Sequence, residues 1–206
     1  MLLPIYVLSV TVLLLAEHRH FALARAIAKM VASLCFVGWA LSLGALDSVY
    51  GRWVLLALVL SLVGDALLLS ERTAAFLAGL GAFLLAHAAY SVAFAWAGVS
   101  MPALAGAAVA AVALGAGVLR WLGPGLGPSY RGPVVAYVAV ILVMVSLAVG
   151  HAAHSGRWGV AVGALVFAAS DLAVARQKFV RAAFVNKAWG LPAYYAAQWM
   201  LAGSVG

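Results

Sequence analysis

Long apolar runs fill almost the whole of this 206-residue chain, and only short basic or glycine- and proline-rich breaks separate them. Hydrophobic residues make up 67% of the chain and charged residues 8%, and the mean hydropathy is +1.15. Most runs approach the roughly 20 residues that cross a bilayer as a helix. Because the short alternating segments of a transmembrane barrel do not occur, the pattern predicts an all-α polytopic membrane protein.

The breaks divide the chain into eight predicted spans that together form a single transmembrane domain over residues 1–206. We place the spans at about 1–16, 29–46, 53–70, 73–97, 101–121, 132–149, 158–175 and 188–204. The first run lacks the basic start of a signal peptide and further spans follow it, so we interpret it as a retained helix. Glycine and proline at 123–128 give the clearest break.

Lysine and arginine are unevenly distributed between the predicted loops. Ten lie at loops after odd-numbered spans, and only Arg52 and Arg157 lie at loops after even-numbered spans. The positive-inside rule then predicts a protein of the inner cell membrane with the odd loops in the cytoplasm and both termini outside. The formal net charge of +7 is therefore interpreted as a topology signal, and no nucleic acid partner is expected.

Two of the five acidic residues interrupt apolar runs: Asp65 in span three and Asp171 in span seven. An acid at such a position costs roughly 2.5–3.5 kcal/mol on insertion scales, which makes each a candidate functional residue. Both spans run toward the cytoplasm, and the acids lie about five and about four residues before the span ends, or roughly 6–8 Å inside the boundary. We therefore expect one site containing both acids, toward the cytoplasmic side.

The two acids also occupy matching places in two groups of four spans. Their positions, 65 and 171, differ by 106, which is about half of the chain. This spacing is compatible with a 4+4 tandem pseudo-repeat whose pseudo-two-fold axis lies along the membrane normal.

Further polar side chains interrupt spans four and eight. His87 and Tyr90 are three residues apart and share a helix face. For His87 we keep three interpretations open: a packing bond to a neighbouring helix, a proton carrier or substrate contact, and a metal ligand. Tyr194, Tyr195 and Gln198 in span eight either join helices by hydrogen bonds or bind substrate.

Three more polar residues are candidates for binding substrate. Tyr137 lies in span six, Asn186 lies at the approach to span eight, and Lys29 is placed at the start of span two. Lys29 is either a topological charge that reaches the interface or a contact for an anionic phosphate. His151 and His154 have a metal-like spacing, but we place them in a solvated outer loop, so no metal or cofactor is predicted. Zincin, P-loop and nucleophile-elbow motifs do not occur in the sequence.

These polar blocks, in this order, resemble the YhhN family of eight-span membrane proteins. Five stretches carry the resemblance: 61–69 with Gly64-Asp65, 76–90 with His87 and Tyr90 followed by Phe94, 133–137 with Tyr137, 163–171 with Ser170-Asp171, and 194–198 with Tyr194, Tyr195 and Gln198. The Gly-Asp and His-x-x-Tyr blocks are the most specific. The chain departs from the family at Lys29, which is followed by Met30 where the family often has proline.

Characterised members of that family are lysoplasmalogenases. The resemblance implies hydrolysis of the vinyl-ether bond of a lysoplasmalogen, a lysophospholipid of the bilayer, to a fatty aldehyde and glycerophospho-ethanolamine or -choline. We expect Asp65 and Asp171 to act as a close acid–base pair, because two carboxylates in a low-dielectric site split their titration. His87 is expected to orient groups or relay a proton, and Tyr90, Tyr195 and Gln198 to bind the glycerol or a hemiacetal oxygen.

Two other classes of protein fit the same residues. A proton-coupled small-solute transporter also uses intramembrane acids and a histidine as a relay. In a third interpretation the acids are structural and locked by hydrogen bonds between helices. The oligomeric state is left open.

Overall fold

The computed structural model describes residues 2–206, and these form eight helices and no strand, which confirms the predicted all-α class. We number the helices α1 (Leu2–Arg19), α2 (Ala22–Ser42), α3 (Val49–Leu67), α4 (Thr73–Trp96), α5 (Met101–Leu122), α6 (Pro128–Ser155), α7 (Trp158–Ala175) and α8 (Phe184–Gly203). A 3-10 turn at Gly123–Gly125 precedes α6, and a π-helical segment at Arg176–Val180 extends α7.

Seven of the eight helices, α1 to α7, are long and apolar enough to cross a bilayer. The last helix, α8, has 20 residues but carries buried Asn186, Tyr194, Tyr195 and Gln198. It packs against α7, α2, α1 and α3. Its polar side chains therefore face the inside of the bundle, while large apolar side chains of α1 to α7 remain exposed on the outside. This arrangement is that of an integral membrane protein.

The two largest errors in the predicted boundaries both come from polar residues that the structure places inside helices. The predicted second span began at 29, whereas α2 begins at Ala22, so Lys29 lies inside the helix and not at the interface. The predicted sixth span ended at 149, but α6 continues to Ser155 and contains His151. His151 is buried, with Nδ1 2.9 Å from the carbonyl oxygen of Gly98. In both cases a partner within the bundle replaces water.

The connections gather at the two ends of the bundle. At one end lie the connections after α1, α3, α5 and α7, at 20–21, 68–72, 123–127 and 176–183. We call this the basic end, because most lysines and arginines lie there. Lys187 and Glu17 pair across it at 2.7 Å. The C-terminal residue Gly206 lies at the opposite end, where Arg157 contacts its carbonyl.

Helix packing repeats between the two halves of the chain. The packed pairs α1–α2, α2–α3 and α3–α4 recur as α5–α6, α6–α7 and α7–α8, and α4–α6 recurs as α8–α2. The contacts of α8 with α1 and α3 have no equally extensive counterpart between α4 and α5 or α7 within residues 2–206, so the 4+4 tandem pseudo-repeat stays a prediction. In this packing α3 lies against α2 and α8, and α7 lies against α6.

Candidate functional site

Asp65 lies near the C-terminal end of α3 and is enclosed by three donors. The Lys29 ammonium is 3.1 Å from Oδ1, and Ser33 Oγ and Tyr194 OH donate to Oδ2 at 2.7 Å and 2.6 Å. The Asp65 side chain is only 2% exposed. A buried charge is tolerated when it is paired and hydrogen-bonded, so this carboxylate and Lys29 form a closed ion pair.

The partners of Asp65 come from α2 and α8. Lys29 and Ser33 are four residues apart on α2 and therefore share one face. Tyr195 OH lies 3.4 Å from the Lys29 carbonyl and 3.5 Å from Ser33 Oγ, which fixes α8 against this face. The sequence analysis missed Ser33. Its position one turn after the lysine was the signal that could have identified it.

Asp171 occupies the corresponding place on α7 but has fewer partners. Tyr137 OH donates to Oδ1 at 3.1 Å. Nε2 of His87 is 3.3 Å from Oδ2, which is an ion-pair distance, but the two atoms are not aligned as a hydrogen bond. The Asp171 side chain is 14% exposed, against 2% for Asp65. Asp171 is therefore the less enclosed side chain of the two, although its Oδ2 atom, which faces His87, is buried.

The surroundings of His87 determine where its ring can carry a proton. Nδ1 lies 2.6 Å from the carbonyl oxygen of Phe83. A carbonyl can only accept, so Nδ1 carries the hydrogen and Nε2 faces the carboxyl group of Asp171. Two bare acceptors at this separation would repel each other. The pair thus places two atoms that can each carry a proton side by side.

Aromatic rings connect the two acid clusters. The ring of Tyr194, which donates to Asp65, lies 5.8 Å from Phe83 and 5.5 Å from Phe167 between centroids. Phe167 in turn lies 4.4 Å from the His87 ring. Among the hydrogen bonds and ion pairs of residues 2–206, none joins the two carboxylates. Asp65 and Asp171 thus have separate hydrogen-bond and ion-pair partners, and their action as an acid–base pair stays a prediction.

The candidate substrate-binding residues Tyr90 and Gln198 bind each other. Tyr90 OH donates to Oε1 of Gln198 at 2.7 Å, and both side chains are fully buried. Nε2 of Gln198 has no partner within the described residues. Buried donors without a partner are uncommon in proteins. Of the polar side chains in α8, this amide has a donor left for another group.

Asn186 holds the loop at the basic end. Its Oδ1 accepts from Arg176 Nη1 at 2.7 Å, and its Nδ2 donates to Gln177 Oε1 and to the Arg181 carbonyl, both at 2.8 Å. The side chain is buried. Because both its donor and acceptor groups are engaged, Asn186 anchors the π-helical segment to α8.

The other polar features lie away from the two acids. His151 stacks on Tyr50 and Phe94 at the opposite end of the bundle. Two shallow surface cavities, of about 190 and 260 Å³, are also at that end, lined by residues such as Arg157 and Arg52. Within residues 2–206, no three histidine, cysteine or acidic side chains converge as a metal site would require.

Comparisons with known proteins find relatives for most of this chain. The sequence profile of the YhhN family matches residues 24–205. The lysoplasmalogenases of Mycobacterium bovis and Mycobacterium tuberculosis are each 36% identical to it over 150 residues, which cover 70% of this chain and 56% of the relative. The chain thus spans just over half the length of these relatives. No solved structure matches. Since the family profile extends over both acid clusters and all the helices that hold them, the chain belongs to the YhhN family.

Proposed function

We propose that this chain hydrolyses the vinyl-ether bond of a lysoplasmalogen, releasing a fatty aldehyde and glycerophosphoethanolamine or glycerophosphocholine. Two curated relatives are named lysoplasmalogenase. The observation that carries the proposal is the His87–Asp171 pair, which sets an imidazole nitrogen 3.3 Å from a carboxylate oxygen inside an apolar bundle. A lysolipid reaches this pair from the bilayer.

The reaction needs an acid first and a base afterwards. Transfer of a proton to the β-carbon of the vinyl ether gives an oxocarbenium ion at the α-carbon. Water then adds to the α-carbon and gives up a proton, which forms a hemiacetal. The hemiacetal collapses to the aldehyde and the glycerol hydroxyl. Carboxyl groups serve oxocarbenium chemistry of this kind in glycoside hydrolysis.

The His87–Asp171 pair meets both requirements in turn. In this proposal the pair carries one proton, on Nε2 or on Oδ2, and that proton goes to the β-carbon. The Asp171 carboxylate then lies beside the cation that forms and accepts the proton of the attacking water, which restores the pair. Tyr137, bonded to Oδ1, holds the carboxyl group in place. Gln198 supplies its unpaired Nε2–H to the hemiacetal oxygen.

Asp65 has a different part in this proposal. Its closed ion pair with Lys29 leaves it no open position for a substrate. It positions Tyr194, whose ring packs on Phe83 and Phe167 beside the catalytic histidine. The acid and base roles that the sequence analysis divided between the two aspartates thus both go to Asp171 in this proposal, and Asp65 is a positioning residue.

We further place the basic end on the cytoplasmic side of the inner membrane and both termini outside. Support comes from the nine basic residues, apart from the buried Lys29, that lie in or near the odd-numbered connections, against Arg52 and Arg157 at the others. The site then lies toward the cytoplasmic leaflet, because Asp171 and Asp65 are both in the part of their helices that leads into the basic end.

The test is aldehyde release by the purified protein in detergent from lysoplasmenylethanolamine, with the 1-acyl and 1-alkyl lysolipids of equal chain length as comparators. We expect aldehyde from the alkenyl lipid and no product from the other two. Release of fatty acid from the acyl lipid would contradict the proposal. Failure to release aldehyde would also contradict it, and proton flux in vesicles would then support a transporter.

A further inference from the structure

Lys178 lies in the π-helical segment after α7 with its ammonium over two aromatic rings. Nζ is 4.7 Å from the centroid of Phe76 and 5.9 Å from that of Tyr130. These rings belong to the first turns of α4 and α6, and Phe179 packs edge-on against both. A cation–π contact of about 0.5–1 kcal/mol at an exposed site directs the side chain without neutralising its charge.

No carboxylate in the described part of the chain neutralises this ammonium. Among residues 2–206 the ion pairs are Lys29–Asp65, His87–Asp171 and Lys187–Glu17. The first turns of α4 and α6 contain no acid, and no side chain caps either helix. The exposed ammonium of Lys178 can therefore donate hydrogen bonds to another group. The uncapped N-terminal ends of α4 and α6 add positive potential beside it, which favours an anionic ligand.

Lys178 is aligned with the candidate catalytic carboxylate. It follows Asp171 by seven positions along α7 and its extension, and Tyr130 precedes Tyr137 by seven positions on α6. On the α-helix α6, Tyr130 and Tyr137 therefore share one face and are separated by roughly 10 Å along the axis. Tyr137 contacts Asp171 and Tyr130 contacts Lys178. Lys178 therefore lies beside the same face of α6 as Asp171, farther toward the basic end.

We infer that Lys178 binds the phosphate of the lysophospholipid headgroup while the vinyl ether lies at Asp171. This inference rests on the proposed function. The phosphorus and the β-carbon of the vinyl ether are about seven bonds apart, or roughly 8 Å in an extended chain. An ammonium–oxygen contact of about 3 Å brings the total to roughly 11 Å, close to the spacing of Tyr130 and Tyr137 along α6. Lys29, the phosphate contact considered from the sequence, is already engaged by Asp65.

The test measures binding and not turnover. A non-hydrolysable 1-alkyl lysophosphoethanolamine and the matching 1-alkylglycerol, which lacks the phosphate, are titrated into the full-length protein in detergent. For Lys178→Gln we expect roughly tenfold weaker binding of the phosphorylated lipid, as for loss of a charge-assisted bond, and unchanged binding of the alkylglycerol. Lys178→Arg should retain binding. Arg120→Gln, which removes an exposed charge from the last turn of α5, is the control.

Three results would overturn the inference: unchanged binding by Lys178→Gln, an equal loss for both ligands, or no binding of the phosphorylated lipid by the wild type. Equal Lys178-dependent binding of a diacyl phospholipid would assign the residue to bilayer headgroups and contradict a substrate role. Failure of the proposed function gives a different pattern, namely Lys178-dependent binding without aldehyde release from the alkenyl lipid. Aldehyde release with an unchanged KM in Lys178→Gln would retain the function and overturn only this inference.

Discussion

The ammonium of Lys29 lies 3.1 Å from Oδ1 of Asp65 inside the helix bundle, and both side chains are buried. Two charges in hydrocarbon are tolerated here because each neutralises the other and Ser33 and Tyr194 complete the carboxylate's hydrogen bonds. The ion pair ties α2 to α3, and Tyr194 adds α8. The ion pair and its hydrogen bonds therefore hold three of the eight helices together.

Removing one partner of the Lys29–Asp65 ion pair should destabilise the protein strongly. We expect Lys29→Met to lose roughly 3–5 kcal/mol, because it leaves the Asp65 carboxylate buried without a counter-charge. Adding Asp65→Asn should recover most of the loss, since neither charge then remains. Thermal unfolding in detergent measures both effects. A double variant that is less stable than Lys29→Met would contradict the assignment of an ion pair.

Gly64 should not tolerate a side chain. A Cβ there would lie 2.6 Å from the ring of Phe83, which is too close for real atoms. Gly64→Ala is expected to push this ring away from Tyr194 and to lower stability by about 1–3 kcal/mol. Gly81→Ala on α4 is the matched control, because nothing lies within 4 Å of a Cβ at that position. Equal thermal stability of the two variants would contradict the packing described.

Removal of the Tyr137 hydroxyl should reduce turnover without unfolding the protein. The hydroxyl donates to Oδ1 of Asp171, so Tyr137→Phe leaves that carboxyl group free to rotate. We expect aldehyde release to fall roughly tenfold, the value of one lost hydrogen bond to a charged group. Tyr50→Phe loses a comparable hydroxyl bond, to Ser204 at the opposite end, and should retain activity. Equal activities in both variants would argue against a role for Tyr137 in orienting Asp171.

The topology can be tested with single cysteines in a Cys35→Ala background. Ser155 lies at the end of α6 and Arg181 lies at the basic end, and both are exposed. In intact cells a membrane-impermeant maleimide should label Ser155→Cys and not Arg181→Cys, because the basic end is placed in the cytoplasm. Permeabilised cells should show labelling of both. The reverse pattern in intact cells would contradict the proposed orientation and place the basic end outside.

The number and order of the helices were predicted well from the sequence, because long apolar runs form them and glycine- and proline-rich or charged segments end them. The exceptions are informative. Lys29 was placed at an interface because a charge in an apolar run is costly, yet Asp65 of another helix offsets that cost. His151 was placed in a loop for the same reason, although its ring nitrogen Nδ1 lies within hydrogen-bond distance of the Gly98 carbonyl oxygen. Partners from distant parts of the chain cannot be identified from local pattern alone.

Most residues of the candidate site were identified from the sequence, but the contacts between them were not. Asp65 and Asp171 stood out because acids are rare in such runs, and both proved to be hydrogen-bonded to tyrosines of neighbouring helices. That they belong to two clusters follows from the rings of Phe83 and Phe167, which look like ordinary core residues in the sequence. Which acid is accessible depends on how α4, α6 and α8 close around each, and this is a property of the fold.

The most direct test of the account compares the turnover of Asp171→Asn with that of Asp65→Asn, using lysoplasmenylethanolamine and folded protein in detergent. Glu71→Gln, in the exposed loop after α3, controls for loss of an acid. We predict that Asp171→Asn loses at least roughly a hundredfold in kcat while it still binds the non-hydrolysable lipid, because it removes the proton-transfer group. Asp65→Asn should lose stability more than kcat, and Glu71→Gln should lose neither. Wild-type turnover by folded Asp171→Asn would contradict the proposed mechanism.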